Sequence, residues 1–267
     1  MNEKITIIGA GNLGKAIADG LLISGLVKEQ DLTLTRRDTA KLAAYSEKGV
    51  NVSSDNTEAI KQSKIIILCV KPHKFKGIVE ELIPALNNNH IVISTVTGLG
   101  LNDISEIINK DISIFRAMPN TAISIQESMT CISSKNIDDK NIEFVTGIFD
   151  KLGKSVVIDD ELMGSATILA ASGIAFALRY IRASMQAGIE IGFESELAQI
   201  IASQTVKGAS SLVVNSNLHP EREVDKVTTP LGVTITGLNQ MEFNGFSPSV
   251  IKGVLSSYEK IAKVSKK

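Results

Sequence analysis

The chain has 267 residues, of which 43% are hydrophobic and 21% charged, and its formal net charge is −1. That length favours one large domain or two ordinary ones with a substantial core. Lys and Arg are spread along the sequence, so there is no electrostatic footprint for nucleic acid, and small-molecule chemistry is the expectation.

The first half alternates short β-branched runs with amphipathic stretches. Lys4 to Ile8, Leu32 to Leu34, Gly49 to Val52, Ile65 to Val70 and Ile91 to Ser94 read as strands one to five. The fourth is a continuous apolar run, as expected of a parallel strand covered on both faces. Helical patterns lie between them, at Ala16 to Leu26 and Leu101 to Ile108 among others. Such alternation implies βαβ units and a mostly parallel, doubly wound sheet of Rossmann type. Further strands are predicted at Ile112 to Met118, Met129 to Ser133 and Ser155 to Ile158.

After Ile158 the alternation stops. Asp159, Asp160 and Glu161 suit a helix start, where carboxylates meet the positive end of the dipole. Long helices are predicted at Leu162 to Ala187, Ser195 to Asn215, Leu231 to Phe243 and Pro248 to Val264. The chain therefore divides into an α/β domain over 1–158 and an all-helical domain over 159–267. Leu162 to Leu178 carries no charge but falls short of the roughly 20 residues of a membrane span, and it reads as a closely packed buried helix. The small residues on these helices suit an intertwined dimer. Cys69 and Cys131 read as core-filling thiols. With three scattered histidines they give no metal spacing, and no secretory signal is seen, so a cytoplasmic setting is expected.

Ile7-Ile8-Gly9-Ala10-Gly11-Asn12-Leu13-Gly14 fits G-x-G-x-x-G between the first strand and the first helix. In that context every glycine has its own role. Gly9 serves the tight turn, Gly11 the close approach of a pyrophosphate, and Gly14 the packing of helix on strand. The pyrophosphate would meet free N–H groups at the helix start. At the end of strand two, where an acidic residue would select NAD, stand Thr35, Arg36 and Arg37; two guanidinium groups and a hydroxyl suit a 2′-phosphate. NADPH is therefore expected, with NADH as the alternative. Asp38 is read as a cap of the next helix. Asn56 is assigned to the cofactor set as well. Val70-Lys71-Pro72 after strand four and Thr95 to Thr97 after strand five would wall the nicotinamide side. Lys71 is either a catalytic acid or a phosphate-side loop lysine, and His73 reads as a surface residue.

Near the C-terminus Thr229 is read as an N-cap and Pro230 as the first helical residue. The amides of Gly232, Val233 and Thr234 would then form a small anion nest suited to a carboxylate, with the Thr234 hydroxyl able to donate and accept.

Asp225 to Leu238 resembles the signature of the pyrroline-5-carboxylate reductase family, close to D-x-V-T-S-P-G-G-x-T-x-x-G-L. The glycine loop, Val70-Lys71-Pro72, Arg116-Ala117-Met118-Pro119-Asn120-Thr121, Ser172 to Phe176, Gln204-Thr205 with Gly208-Ala209, and His219-Pro220 also resemble motifs of that family, in order along nearly the whole chain. Leu231 replaces the first signature glycine, Ile174 and Phe176 replace Pro and Tyr, Arg182 and Gln186 stand at acidic positions, and Asn217 falls near a position often held by Glu. The resemblance implies reduction of 1-pyrroline-5-carboxylate to proline by NADPH. It implies a carboxylate held by Gly232, Val233 and Thr234 with help from the Thr229 hydroxyl, Thr234 oriented near the ring nitrogen as the catalytic residue, and a homo-oligomer built on an intertwined helical dimer. A β-hydroxyacid dehydrogenase would want a lysine on the helix after the boundary, and Leu162 to Leu178 has none. A dinucleotide-sensing homologue without catalysis is the non-enzyme alternative.

Overall fold

The computed structural model describes residues 3–135 and 137–264, with side chains described through Ile261. The outer ends of the two expected domains, residues 1–2 and 265–267, lie outside the described residues. Eight strands form one sheet: β1 (Ile5–Ile8), β2 (Leu32–Thr35), β3 (Asn51–Ser53), β4 (Ile65–Leu68), β5 (Ile91–Ser94), β6 (Ser113–Met118), β7 (Ser128–Ser134) and β8 (Gly153–Val157). Their order is β3-β2-β1-β4-β5-β6-β7-β8. Every pair is parallel except β6 with β7. Ile5 pairs with Leu32 on one side and with Ile65 on the other, so β1 sits centrally and its carboxyl end opens between β2 and β4.

Alternate strand residues point to opposite faces, and both faces are apolar. Ile5, Ile7, Ile65, Ile67, Ile91 and Ile93 belong to one buried cluster. Ile8, Ile66, Leu68 and Val92 belong to another. A sheet with two apolar faces needs helices on both. They are supplied by α1 (Asn12–Ile23), α2 (Ala43–Ser46), α3 (Asn56–Ile60), α4 (Pro72–Leu82), α5 (Leu101–Ile108) and α6 (Asp139–Asp150). The apolar stripe Leu101, Ile104, Ile108 on α5 is buried, and Asn109 closes that helix with φ 45°.

Beyond β8 the chain is helical: α7 (Met163–Ala166), α8 (Gly173–Glu190), α9 (Ser195–Ser216), α10 (Pro220–Lys226), α11 (Val233–Phe243) and α12 (Phe246–Val264). A π-helical turn, Thr167–Ser172, interrupts the single long helix expected over 162–187. Two compact units result. One holds the sheet with the chain up to Ser172 and from Ser257 onward, and the other is Gly173–Ser256. Residues just past β8 stay with the sheet because Met163 and Ala166 pack against Met118 and Cys131. Within the second unit α8 and α9 approach closely, since a Cβ on Gly188 would lie 3.1 Å from that of Ala198.

The apolar stretch after Asp160 is not the buried helix that its composition suggests. Asp160–Glu190 is long and apolar enough to cross a membrane, and 22% of its apolar window is buried. Leu162, Leu169 and Leu178 are exposed. Cys69 and Cys131 are both free thiols.

Candidate active site: a dinucleotide cavity and an uncapped helix start

The glycine turn is built as the spacing requires. Gly9 has φ 92°, a left-handed value that costs glycine little. A Cβ there would lie 2.7 Å from the Cys69 carbonyl oxygen and 2.8 Å from a Val70 methyl. One on Gly14 would stand 2.7 Å from the Gly9 oxygen, so α1 rests directly on the turn. A Cβ on Gly11 would meet no protein atom within 4 Å. The space above Gly11 is thus left open by the fold, as close approach of a pyrophosphate demands. Gly11 is the N-cap of α1 and no side chain caps the first-turn amides of Asn12, Leu13 and Gly14, which leaves their positive dipole end for an anion.

The end of β2 braces the turn. Gly9 N and Ala10 N both donate to the Thr35 carbonyl, at 3.2 and 2.9 Å. The Thr35 hydroxyl donates to Asn56 Oδ1 at 2.6 Å, and Arg36 Nη1 donates to the Ala10 carbonyl at 2.9 Å. A cavity of about 540 Å³ opens here, and Gly9, Ala10, Gly11, Thr35, Arg36, Arg37, Asn56, Val70 and Lys71 all line it. Asn12, Leu13 and Gly14, assigned to the cofactor from the sequence, are not among its lining residues. Pro72 is the first residue of α4 and does not line the cavity. Thr95 and Thr97 do not line it either, and the buried Thr95 hydroxyl donates to the Leu68 carbonyl and to Cys69 Sγ. Ser54, Lys74, Gly77, Ile78 and Glu81 line it without having been singled out from the sequence. The last four come from α4. His73 is exposed, and it stands on the cavity wall too. Burial pushes the Cys69 thiol up to about 12, against a lowering bond from Thr95, which keeps it in the protonated form at neutral pH. Asp38 is the N-cap residue of a 3-10 turn, Thr39–Leu42, but its side chain does not cap. It pairs with Lys41 at 3.3 Å instead.

The C-terminal motif folds differently from expectation. Helix α11 begins at Val233 with Gly232 as N-cap, so Thr229 is not the cap and Pro230 is not the first helical residue. Thr229 to Gly232 instead form a turn closed by Gly232 N donating to the Thr229 carbonyl at 2.9 Å. Leu231, with φ 59°, takes the left-handed place that type II turns reserve for glycine, and it cannot be helical there. The Gly232 amide is therefore used within the turn. The first-turn amides left without a side-chain cap are those of Val233, Thr234 and Ile235. A Cβ on Gly232 would lie 2.6 Å from the Thr229 hydroxyl oxygen, so that hydroxyl stands directly over the bare Cα. Thr234 is exposed at the second helical position. Asn217 closes α9 with φ 52°, a conformation asparagine tolerates, and His219 caps α10 through Nδ1 accepting from Glu221 N at 3.3 Å. Arg182 and Gln186 are exposed one turn apart on α8.

A third cluster was not visible in the sequence. Asp160 does not simply open a helix. Its carboxylate accepts from Arg116 Nη1 at 2.6 Å, from the Ser133 hydroxyl at 2.8 Å and from Leu101 N at 2.8 Å. It thereby ties β6, β7 and the start of α5 together, below the loop that leaves β5. Burial pushes the Asp160 carboxyl up, but the Leu101 amide, Arg116 and Ser133 outweigh it and hold it below the usual carboxylate range. Nearby, Asn120 Nδ2 donates to the Ala170 carbonyl in the π-helical turn at 3.2 Å. Among the described residues no group of three or more His, Cys, Asp or Glu side chains is placed to hold a metal ion.

Comparison with known proteins gives the same picture for both halves. Residues 160–264 match the family described as "Pyrroline-5-carboxylate reductase dimerisation", and residues 4–98 match "NADP oxidoreductase coenzyme F420-dependent". The chain is 43% identical to pyrroline-5-carboxylate reductase 1 of Dictyostelium discoideum over 97% of its own length, although it spans only 49% of that relative. It is 41% identical to pyrroline-5-carboxylate reductase 2 of the same organism, covering 98% of this chain and 93% of the relative. Its fold matches the crystal structure of Plasmodium falciparum pyrroline carboxylate reductase with NADP bound, at a TM-score of 0.90 and 26% identity over 99% of this chain and 98% of that one. A 3-hydroxyisobutyrate dehydrogenase from Mycobacterium tuberculosis shares the fold alone, at 12% identity and a TM-score of 0.53.

Proposed function

This chain belongs to the pyrroline-5-carboxylate reductase family, and from that premise we propose how its residues divide the reduction of 1-pyrroline-5-carboxylate to proline by NADPH. The observation that carries the reading is the open, uncapped start of α1 facing a cavity whose far wall bears Arg36 and Arg37. That arrangement fits a dinucleotide with its pyrophosphate at the Gly11–Gly14 amides and its 2′-phosphate beyond Thr35. NADPH supplies the hydride when bound. Val70 and Lys71 wall the cavity toward the nicotinamide side; Pro72, Thr95 and Thr97, outside its lining, act behind that wall, Pro72 by opening α4 and Thr95 by holding the Leu68 carbonyl and Cys69.

The substrate carboxylate is assigned to the start of α11, on the amides of Val233 and Thr234 with Ile235 beside them. Gly232 contributes its bare Cα, and Thr229 its hydroxyl above it. The Thr234 hydroxyl orients the ring nitrogen and a water molecule beside it, and solvent supplies the proton through that water; threonine is a poor acid, so its contribution is orientation more than acidity. Residues 1–158 serve the cofactor and 159–267 serve substrate and assembly, a division supported by the dimerisation profile starting at residue 160. The exposed apolar residues of α8, α9 and α12 support a homo-oligomer, as an intertwined dimer or an assembly of dimers. The two free thiols fit a reducing, cytoplasmic setting.

Thr234→Ala tests the assignment. The expected result is a fall in kcat/KM of about 10²-fold with NADPH affinity, read by fluorescence titration, held within about twofold. Unchanged turnover removes Thr234 from the site.

A further inference from the structure

We propose that Lys41 is a further determinant of cofactor choice, a third cation for the 2′-phosphate, and that Asp38 positions it rather than binding ribose. This rests on the reading of Arg36 and Arg37 as the 2′-phosphate end of the cavity. Beside the dinucleotide cavity lies a second hollow of about 460 Å³, bounded by Arg36, Arg37, Asp38 and Lys41. Arg36 and Arg37 line both spaces, so the hollow lies where a dinucleotide's ribose substituent would extend.

The four side chains there are not equivalent. Arg36 spends one nitrogen on the Ala10 carbonyl and so helps hold the glycine turn. Arg37 is exposed and has no side-chain partner among the described residues. Lys41 is carried on the 3-10 turn Thr39–Leu42, where three residues per turn set positions 38 and 41 on one side. Asp38 accordingly meets Lys41 Nζ at 3.3 Å. The turn itself is anchored, because Leu42 is fully buried and Lys15 Nζ donates to the Lys41 carbonyl at 2.8 Å. The backbone that carries Lys41 is thus held beside the hollow, and Asp38 draws the exposed ammonium toward it.

An exposed Lys–Asp pair of this kind adds little to fold stability. What it changes is local charge. A carboxylate near the end of β2 would ordinarily favour NAD by accepting from ribose hydroxyls. Here Lys41 engages that carboxylate, and the hollow holds three cations against one anion. The balance favours a dianionic phosphate over a neutral hydroxyl.

The test is calorimetric titration of the full chain with 2′,5′-ADP and with 5′-ADP, ligands that differ only in where the second phosphate sits. Wild type is expected to bind 2′,5′-ADP at least about tenfold more tightly. Lys41→Met is expected to lower 2′,5′-ADP affinity by about tenfold, leave 5′-ADP within about twofold and flatten the salt dependence of the first ligand only. Lys41→Arg should restore the preference. An unchanged preference in Lys41→Met, or equal loss for both ligands at an unchanged melting temperature, overturns the role of Lys41 while leaving the arginine reading standing. Equal affinity of wild type for the two ligands overturns both.

Discussion

Replacing Asp160 by alanine would strand a charge in the sheet unit. The Arg116 side chain is 6% exposed and Asp160 is its ion-pair partner, at 2.6 Å. The carboxylate also takes the Ser133 hydroxyl and the Leu101 amide. Breaking a buried pair from one side costs about 3–5 kcal/mol, and because the Asp160 side chain is 28% exposed the lower end applies, about 3 kcal/mol. Urea unfolding at one fixed protomer concentration reads this as a lowered midpoint with an unchanged slope. The pH dependence supplies a second check. The folded carboxyl is held below its ordinary value, so its contribution is present above the unfolded value of about 4 and is lost as pH falls through the folded one. The gap between wild type and Asp160→Ala should therefore stay constant from neutral pH down to about 5 and narrow in stronger acid. A variant within about 1 kcal/mol of wild type at neutral pH would mean that Arg116 finds water or another acceptor, and the clamp would carry no weight.

The two glycines of the turn separate binding from folding. Gly11→Ala adds a methyl into open space, so its unfolding midpoint should hold within about 0.5 kcal/mol while NADPH affinity falls by about tenfold or more. Gly14→Ala pushes a methyl onto the Gly9 carbonyl, and calorimetric melting should show a loss of about 1–3 kcal/mol. Leu231→Gly removes a left-handed penalty of about 1 kcal/mol and returns part of it as chain entropy, so a melting scan should show a small gain. His90 is buried, with Nδ1 accepting from Asn87 N and Nε2 placed to donate to the Ile60 carbonyl. Burial lowers its pKa, so stability is full above the ordinary histidine value and is lost as pH falls from there toward the lowered one. Unfolding midpoints between pH 7 and 5 should fall more steeply in wild type than in His90→Gln.

The sheet was legible because its strands carry their own signal. Ile65 to Leu68 is apolar on both faces, and the structure buries all four residues. The glycine spacing was legible because Gly9 and Gly14 each answer to a close contact, with the chain leaving β4 for Gly9 and the turn itself for Gly14, while Gly11 keeps the space above it open. Features set by distant partners were not. Asp160 looks like a helix-start carboxylate until Arg116, far away in sequence, is brought to it. The Thr-Pro pair at 229–230 carries the same composition whether it caps a helix or closes a turn, and the left-handed Leu231 decides the matter. Pro72 and Pro220 each open a helix, and neither α4 nor α10 is among the helices named from the sequence. The exposed apolar residues of α8 were read from the sequence as buried, because a single sequence shows that a residue is apolar but not what covers it.

The most direct measurement is the loss of NADPH absorbance in a purified sample given 1-pyrroline-5-carboxylate. Steady consumption coupled to proline formation is the predicted result, together with slower turnover when NADH replaces NADPH. Tight NADPH binding without consumption would contradict the account, as would consumption that proceeds only with a hydroxy or keto acid.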